Sequence, residues 1–167
     1  KKFENDVKLF NYDMVDFKNP GSYDCIVILL DSINYVLENE KIEKLFNNCY
    51  KNLKENGVLI FDLNSPYKME KVFGDKTYVM ENKNIFYTWE NYKENNLVEI
   101  YLNFFIEKDG LYQRFEEYQT ERIYKPEEML DLALNAGFNH VSYTDEDNPG
   151  NLNDKSLRLL YYATKEK

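Results

Sequence analysis

Hydrophobic and polar positions follow two rhythms along the chain. Over residues 1–77 and 125–167 the apolar residues come in short solid runs or in helical stripes; between 78 and 124 they come at every second position. Residues 7–14 (VKLFNYDM) predict a short strand ending at Asp13. Asn19, Pro20 and Gly21 mark a turn, because Pro presets φ and Gly tolerates a tight reversal. Residues 24–30 (DCIVILL) are apolar at consecutive positions, which predicts a strand buried on both faces, as in a parallel sheet. In residues 38–55, Ile42, Leu45, Phe46, Cys49, Tyr50 and Leu53 fall on one helical stripe. Glu38 and Glu40 suit the positive end of that helix, and Gly57 suits the position just past its other end. Residues 58–63 (VLIFDL) make a second buried strand, so strand, helix and strand form a βαβ unit.

The alternating region divides into runs at 78–91, 97–108 and 111–124. Asp109-Gly110 between the last two is a strong hairpin signal. In the middle run Val98, Ile100, Leu102, Phe104 and Ile106 alternate with Glu99, Tyr101, Asn103, Phe105 and Glu107, which predicts an antiparallel meander with one dry face. Pro126, followed by Glu127 and Glu128, opens another helix that Gly137 closes. Residues 140–144 and 157–164 read as strands around a polar Pro- and Gly-containing loop. The expected fold is therefore α/β: a single domain with its core in 1–77 and 125–167 and an antiparallel β insertion at 78–124.

Composition narrows the function classes. Thirty acidic against 21 basic residues give a net charge of -9, which argues against nucleic-acid or anionic-membrane partners, since both need clustered Lys and Arg. The first residues, KKFENDVK, carry no signal-peptide pattern, and no apolar run approaches the length of a membrane span. Cys25 and Cys49 lie in apolar patterns with no CxxC or His/Cys cluster, so both read as reduced core thiols of a cytoplasmic protein, with no metal site. His140, the lone histidine, follows a helix end and reads as structural or solvent-exposed.

In doubly wound sheets ligands bind beyond the carboxyl ends of the strands. Asp13-Met14, Asp31-Ser32-Ile33-Asn34-Tyr35 and Asn64-Ser65-Pro66-Tyr67 all fall at such ends, and together they outline one crevice. Each cluster read alone is also an ordinary turn. These clusters, with YDCIVILLDSINYVL, LKENGVLIFDLNSPYK, the insertion sequences IFYTWEN and YQRFEEYQTERIY, and the late EEMLDLALNAGF helix, resemble the second part of a class I S-adenosylmethionine-dependent methyltransferase of the small-molecule type. The resemblance covers nearly the whole chain. It departs from the family in having Glu55-Asn56 where Pro-Gly is usual, and in lacking the first strand and the Gly-rich loop that cradles the cofactor.

The resemblance implies a Rossmann-like methyltransferase sheet, incomplete at its N-terminus, with the insertion as a lid. It implies that S-adenosylmethionine is the cofactor and a small molecule the methyl acceptor. Asp13 would accept a hydrogen bond from the adenine amine and Met14 would pack on the ring. Leu30, Asp31, Ser32 and Tyr35 would flank the methionine part of the cofactor. Asp31 reads as a catalytic base, as a positioner of a substrate amine, or as a structural turn. On the acceptor side stand Asn64, Tyr67, Tyr87, Trp89, Arg114 and Arg122, with Tyr101, Tyr112 and Tyr118 on the same insertion; Arg114 and Arg122 share a strand face by parity. With half of the cofactor site lacking, the chain by itself is not expected to bind the cofactor well. The rival reading is a non-enzymatic assembly module in which the aromatic insertion is a subunit interface, and a homodimer is compatible with either. A nicotinamide-dependent oxidoreductase is a weaker rival, because its glycine fingerprint is missing.

Overall fold

The computed structural model describes residues 7–17 and 23–166. The turn expected at Asn19, Pro20 and Gly21 lies outside those residues. Two four-stranded sheets organise the rest. The first has the order β1-β2-β8-β7, with β1 at Tyr23–Ile28, β2 at Leu53–Asn64, β7 at His140–Asp145 and β8 at Arg158–Thr164. β1 and β2 run parallel and are joined through helix α1, Asn39–Asn52, while β8 is antiparallel to both β2 and β7. The second is an antiparallel meander of β3 (Thr77–Asn82), β4 (Ile85–Glu94), β5 (Leu97–Lys108) and β6 (Leu111–Arg122). Helix α2, Pro126–Asn135, follows it with the expected proline in its first turn.

The core lies against one face of the first sheet. Ile42, Leu45, Phe46 and Cys49, the stripe of α1, are fully buried over Leu59 and Phe61 of β2 and Ala163 of β8. Phe46 meets Phe61 edge-on at 5.2 Å between ring centroids, and Phe61 stacks on Tyr161 at 4.7 Å. Met129 and Ala133 of α2 close the same core. Burial pushes the Cys49 thiol up to about 12, as expected of an inert core cysteine.

Several sequence expectations are corrected. Residues 7–14 form no strand; Val7, Leu9, Phe10 and Tyr12 are exposed, and no neighbouring strand among the described residues is paired with them. β1 is not buried on both faces: Asp24, Cys25 and Val27 are exposed, because among the described residues β1 has β2 as its one strand neighbour and the core packs on the Ile26–Ile28 side. Cys25 is accordingly a surface thiol. α1 stops at Asn52, and Gly57 sits inside β2 rather than capping the helix. There it permits a close approach, since a Cβ at Gly57 would stand 2.9 Å from the Lys54 carbonyl oxygen. The run at 78–91 is two strands, reversed at Lys83-Asn84. Asp109-Gly110 turns the β5–β6 hairpin with both residues at positive φ, as its chemistry predicts.

Candidate functional site

β1 ends in a backbone reversal. Leu30 and Asp31 both adopt left-handed conformations, with φ of 60° and 51°. For side chains with a Cβ this costs about 1–2 kcal/mol each, so the reversal is held by its surroundings. The Asp31 amide donates to Asp62 Oδ2 at 3.0 Å, and the 3-10 turn Ser32–Tyr35 follows at once. Ser32 Oγ donates back to the Leu29 carbonyl at 2.6 Å. Asn34, fully buried, ties the two sheets together: its Nδ2 donates to the Arg122 carbonyl at 2.8 Å, and its Oδ1 accepts from the Asn64 amide at 3.0 Å.

This junction floors a cavity of about 540 Å³ between the sheets. Asp31, Tyr35, Asn64, Lys68, Glu121 and Arg158 form its polar end. Ile100, Leu102, Phe104, Tyr87 and Trp89, inward-facing on the second sheet, form its apolar wall. Arg158 Nη2 pairs with Asp31 Oδ1 at 2.9 Å, its Nη1 with Asp62, and its Nε with Glu146 at 3.2 Å. Asn64 Nδ2 donates to Asp31 Oδ2 at 3.0 Å and to Glu121 Oε2 at 2.9 Å, while its Oδ1 accepts from Lys68 Nζ at 2.7 Å. Burial pushes the Glu121 carboxyl above its ordinary value, and the same desolvation, with Arg158 nearby, pushes Lys68 below its own. Tyr35 donates to Gln119 Oε1 at 2.8 Å, and burial raises its phenol.

A second, more open hollow of about 710 Å³ lies along β1. Asp13 and Met14 line it with Phe10, Tyr12, Ile26, Ile28 and Cys25. Asp13 Oδ1 accepts the Val15 amide at 2.8 Å, so this carboxylate also shapes its own loop. β1 thus presents its Ile26 and Ile28 side chains to one hollow and, past its reversal, Asp31 to the other.

The expected acceptor-side residues divide. Asn64, Tyr87 and Trp89 line the inner cavity with Asp31 and Tyr35. Leu30 is mostly exposed and Ser32 is spent on its own turn. Tyr67 lies in a separate groove with Pro126 and Tyr143. Arg114 and Arg122 do share a face, but it is the outer one, by the β4–β5–β6 register. Arg114 there pairs with Glu116 and donates to Asn103. Arg122, at the strand's end, is buried and clamps the Leu37 carbonyl, Asn39 and Glu128. On that outer face Tyr101 meets Tyr92 edge-on and Tyr118 at a tilt, and Tyr112 is also exposed. Sequence reasoning missed Glu121, Lys68, Asp62 and Arg158. A signal existed for three of them. Asp62 and Arg158 interrupt otherwise apolar strands, and a buried charge demands a partner. The Asp109-Gly110 turn fixes Glu121 opposite Val98, hence on the inner face.

No protein-family model matches the chain. Over 162 residues it is 31% identical to a protein of Geobacillus sp. (strain WCH70) named as a methyltransferase, covering 95% of this chain and 66% of that protein. It superposes with a TM-score of 0.91 and 30% identity on the crystal structure of a S-adenosylmethionine-dependent methyltransferase from Clostridium acetobutylicum ATCC 824, covering 99% of this chain and 69% of that one. The chain belongs to the S-adenosylmethionine-dependent methyltransferases. At the level of fold alone, the likeness extends to the sugar N-methyltransferase KedS8 from Streptoalloteichus sp. ATCC 53650, with a TM-score of 0.78 and 17% identity over 99% of this chain and 65% of that one. The chain thus spans about two-thirds of the length of these three proteins. The fold is Rossmann-like in the manner of this methyltransferase family, and the four antiparallel strands are inserted between β2 and α2.

Proposed function

We propose that the protein transfers a methyl group from S-adenosylmethionine to a small-molecule acceptor, with the acceptor in the inner cavity and the cofactor along β1. The observation that carries this reading is the pair of hollows on either side of the left-handed end of β1, one lined by Ile26, Ile28 and the Asp13 carboxylate and one by Asp31 and an aromatic wall. The β1 hollow fits the adenine end of the cofactor. Its floor is apolar, and a carboxylate that already holds the Val15 amide has further lone pairs for an exocyclic amine, which only donates.

Bound S-adenosylmethionine supplies a methyl group already activated on a sulfonium. The protein's part is then alignment and exclusion of water. Asn34 and Asn64 hold the two sheets, and so the two reacting partners, in register. Arg158 and Asn64 fix the Asp31 carboxylate in the inner cavity just past the end of β1, which suits it to position rather than to wander. Trp89, whose Nε1 donates to Asn91 Oδ1 at 2.7 Å, is locked as part of the wall. A small-molecule acceptor matches the size of the cavity and the sugar N-methyltransferase among the neighbours in fold. A cytoplasmic setting accords with two free thiols and the acidic surface; among the described residues no helix is long and apolar enough to cross a membrane. The exposed Tyr92, Tyr101 and Tyr118 cluster keeps a homodimer compatible with this reading.

The test is calorimetry of S-adenosylhomocysteine binding to the protein at the full length of its relatives, of which this chain spans about two-thirds. Measurable binding is expected, weakened about tenfold or more by Asp13→Ala, the loss of one charged hydrogen bond. No binding of either the cofactor or its demethylated product would sink the proposal.

A further inference from the structure

The charged groups at the cavity floor are not evenly matched. Arg158 satisfies three carboxylates, those of Asp31, Asp62 and Glu146. Lys68 is occupied by Asn64 Oδ1 and stands 5.2 Å from the centre of the Phe73 ring. Glu121 lines the same cavity, is 3% exposed, and forms no direct ion pair among the described residues; its Oε2 accepts from the Asn64 side-chain amide, and the Tyr35 hydroxyl and the Lys68 ammonium also act on its carboxylate. Burying a carboxylate is costly, and around this floor four carboxylates, Asp31, Asp62, Glu121 and Glu146, face two cations, Lys68 and Arg158. A glutamine at this position would keep the Asn64 hydrogen bond with no charge to bury. The charge is therefore unexplained by the fold, and it faces a chamber whose other wall is Trp89, Leu102 and Phe104.

We propose that the acceptor is an amine carried on an apolar body, and that Glu121 receives its ammonium group. The inference rests on the methyl-transfer reading and names its substrate class. Glu121 supplies the missing counter-ion, and the aromatic wall both covers the apolar body and favours a cation. Glu121 also takes the proton that must leave before attack: the N–H bond breaks, an O–H bond forms on the carboxylate, and nitrogen regains its lone pair. That lone pair forms the new N–C bond as the C–S bond breaks with its electrons going to sulfur. The product ammonium then carries the positive charge that the sulfonium loses, and Glu121 returns its proton to water. The floor does not favour an anionic acceptor, because its carboxylates outnumber its two cations and Arg158 is already paired with three of them.

Three probes of one shape and different charge test this by calorimetry on the full chain at neutral pH: phenethylamine, phenethyl alcohol and hydrocinnamate. The amine is expected to bind about tenfold tighter than the alcohol, with the carboxylate weakest. Glu121→Gln is expected to remove that preference while leaving alcohol binding unchanged, and Glu121→Asp to restore part of it. Tightest binding by hydrocinnamate, or an amine affinity that Glu121→Gln changes less than about twofold, overturns the inference. Should Glu121→Gln fail to fold, the wild-type pH profile decides. Amine binding should fall as acidification protonates Glu121, whose carboxyl is surrounded by Asn64, Asp31, Tyr35 and Lys68; a flat profile overturns the inference. Binding of S-adenosylhomocysteine, measured in parallel, separates the two readings. Cofactor binding without an ammonium preference sinks only this inference, whereas ammonium binding without cofactor binding sinks the methyl-transfer reading and the acceptor role with it.

Discussion

The two sheets are built on different physics. The first is pressed against α1 and α2, and its inward residues Leu59, Phe61, Tyr161 and Ala163 are sealed from water. The second has a sealed base only, where Val98 and Ile100 meet Met69, Phe73 and Ile123. Farther out, Leu102, Phe104 and Ile106 are half-buried on its inner face, and tyrosines stand exposed on its outer one. Burial fixes the first sheet. Hairpin turns and cross-strand pairs fix the second, which leaves an apolar concave face free for a ligand.

The sharpest way to break that contrast is in the first sheet. Phe46→Ala empties a fully buried site beside Phe61 and should cost about 4 kcal/mol in urea unfolding. A loss near 1 kcal/mol would show that α1 does not seal the sheet as described. Next is the joint between the regions. Asn34→Ala strands the Arg122 carbonyl and the Asn64 amide, for about 2–3 kcal/mol, and should also weaken cavity ligands because the sheets lose their register. Loss of stability with ligand affinity intact would mean that the cavity does not depend on the joint. On the second sheet's outer face, Tyr101→Ala removes one ring from the Tyr92–Tyr101–Tyr118 cluster and should cost only about 0.5–1 kcal/mol. A cost equal to that of Phe46→Ala would erase the distinction between the sheets.

The smallest effect carries a sign. Burial raises the Glu121 carboxyl above its ordinary value, so the native state holds that proton more tightly than the unfolded chain does. The resulting stability is complete below the unfolded value and is lost as pH rises through the higher folded value. Glu121→Gln lacks this loss. Its melting temperature should therefore overtake that of the wild type as the pH is raised from acid to neutral, and a difference independent of pH would show that Glu121 bears no burial cost.

Much of this architecture was legible in order. The stripe Ile42, Leu45, Phe46, Cys49 encoded a helix because one face had to be covered. Asp109-Gly110 encoded a hairpin because both residues tolerate positive φ. Strand alternation told correctly that Arg114 and Arg122 share a face, but not which face, since alternation is symmetric until one side is packed. The solid apolar run of β1 was misread for a related reason. Such a run states that burial is available, and the described neighbours cover only the Ile26–Ile28 side. In the floor of the cavity, Asp31 was legible as the polar end of a strand, but its partners were not. Arg158 lies 127 positions later and Glu121 90 positions later, and no local rule connects them.

The sequence by itself determined most of the elements and their order, because these follow from near-neighbour periodicity, turn chemistry and burial; it did not reveal the absence of a strand at 7–14 or the reversal at Lys83-Asn84. Only the tertiary structure decided which of the charges are compensated. It folds β8 back beside β2 so that Arg158 reaches Asp31 and Asp62, and it brings the end of β6 over the Ser32–Tyr35 turn with Glu121 facing inward. Electrostatic pairing depends on distance in space, and that distance is set when the two sheets are docked.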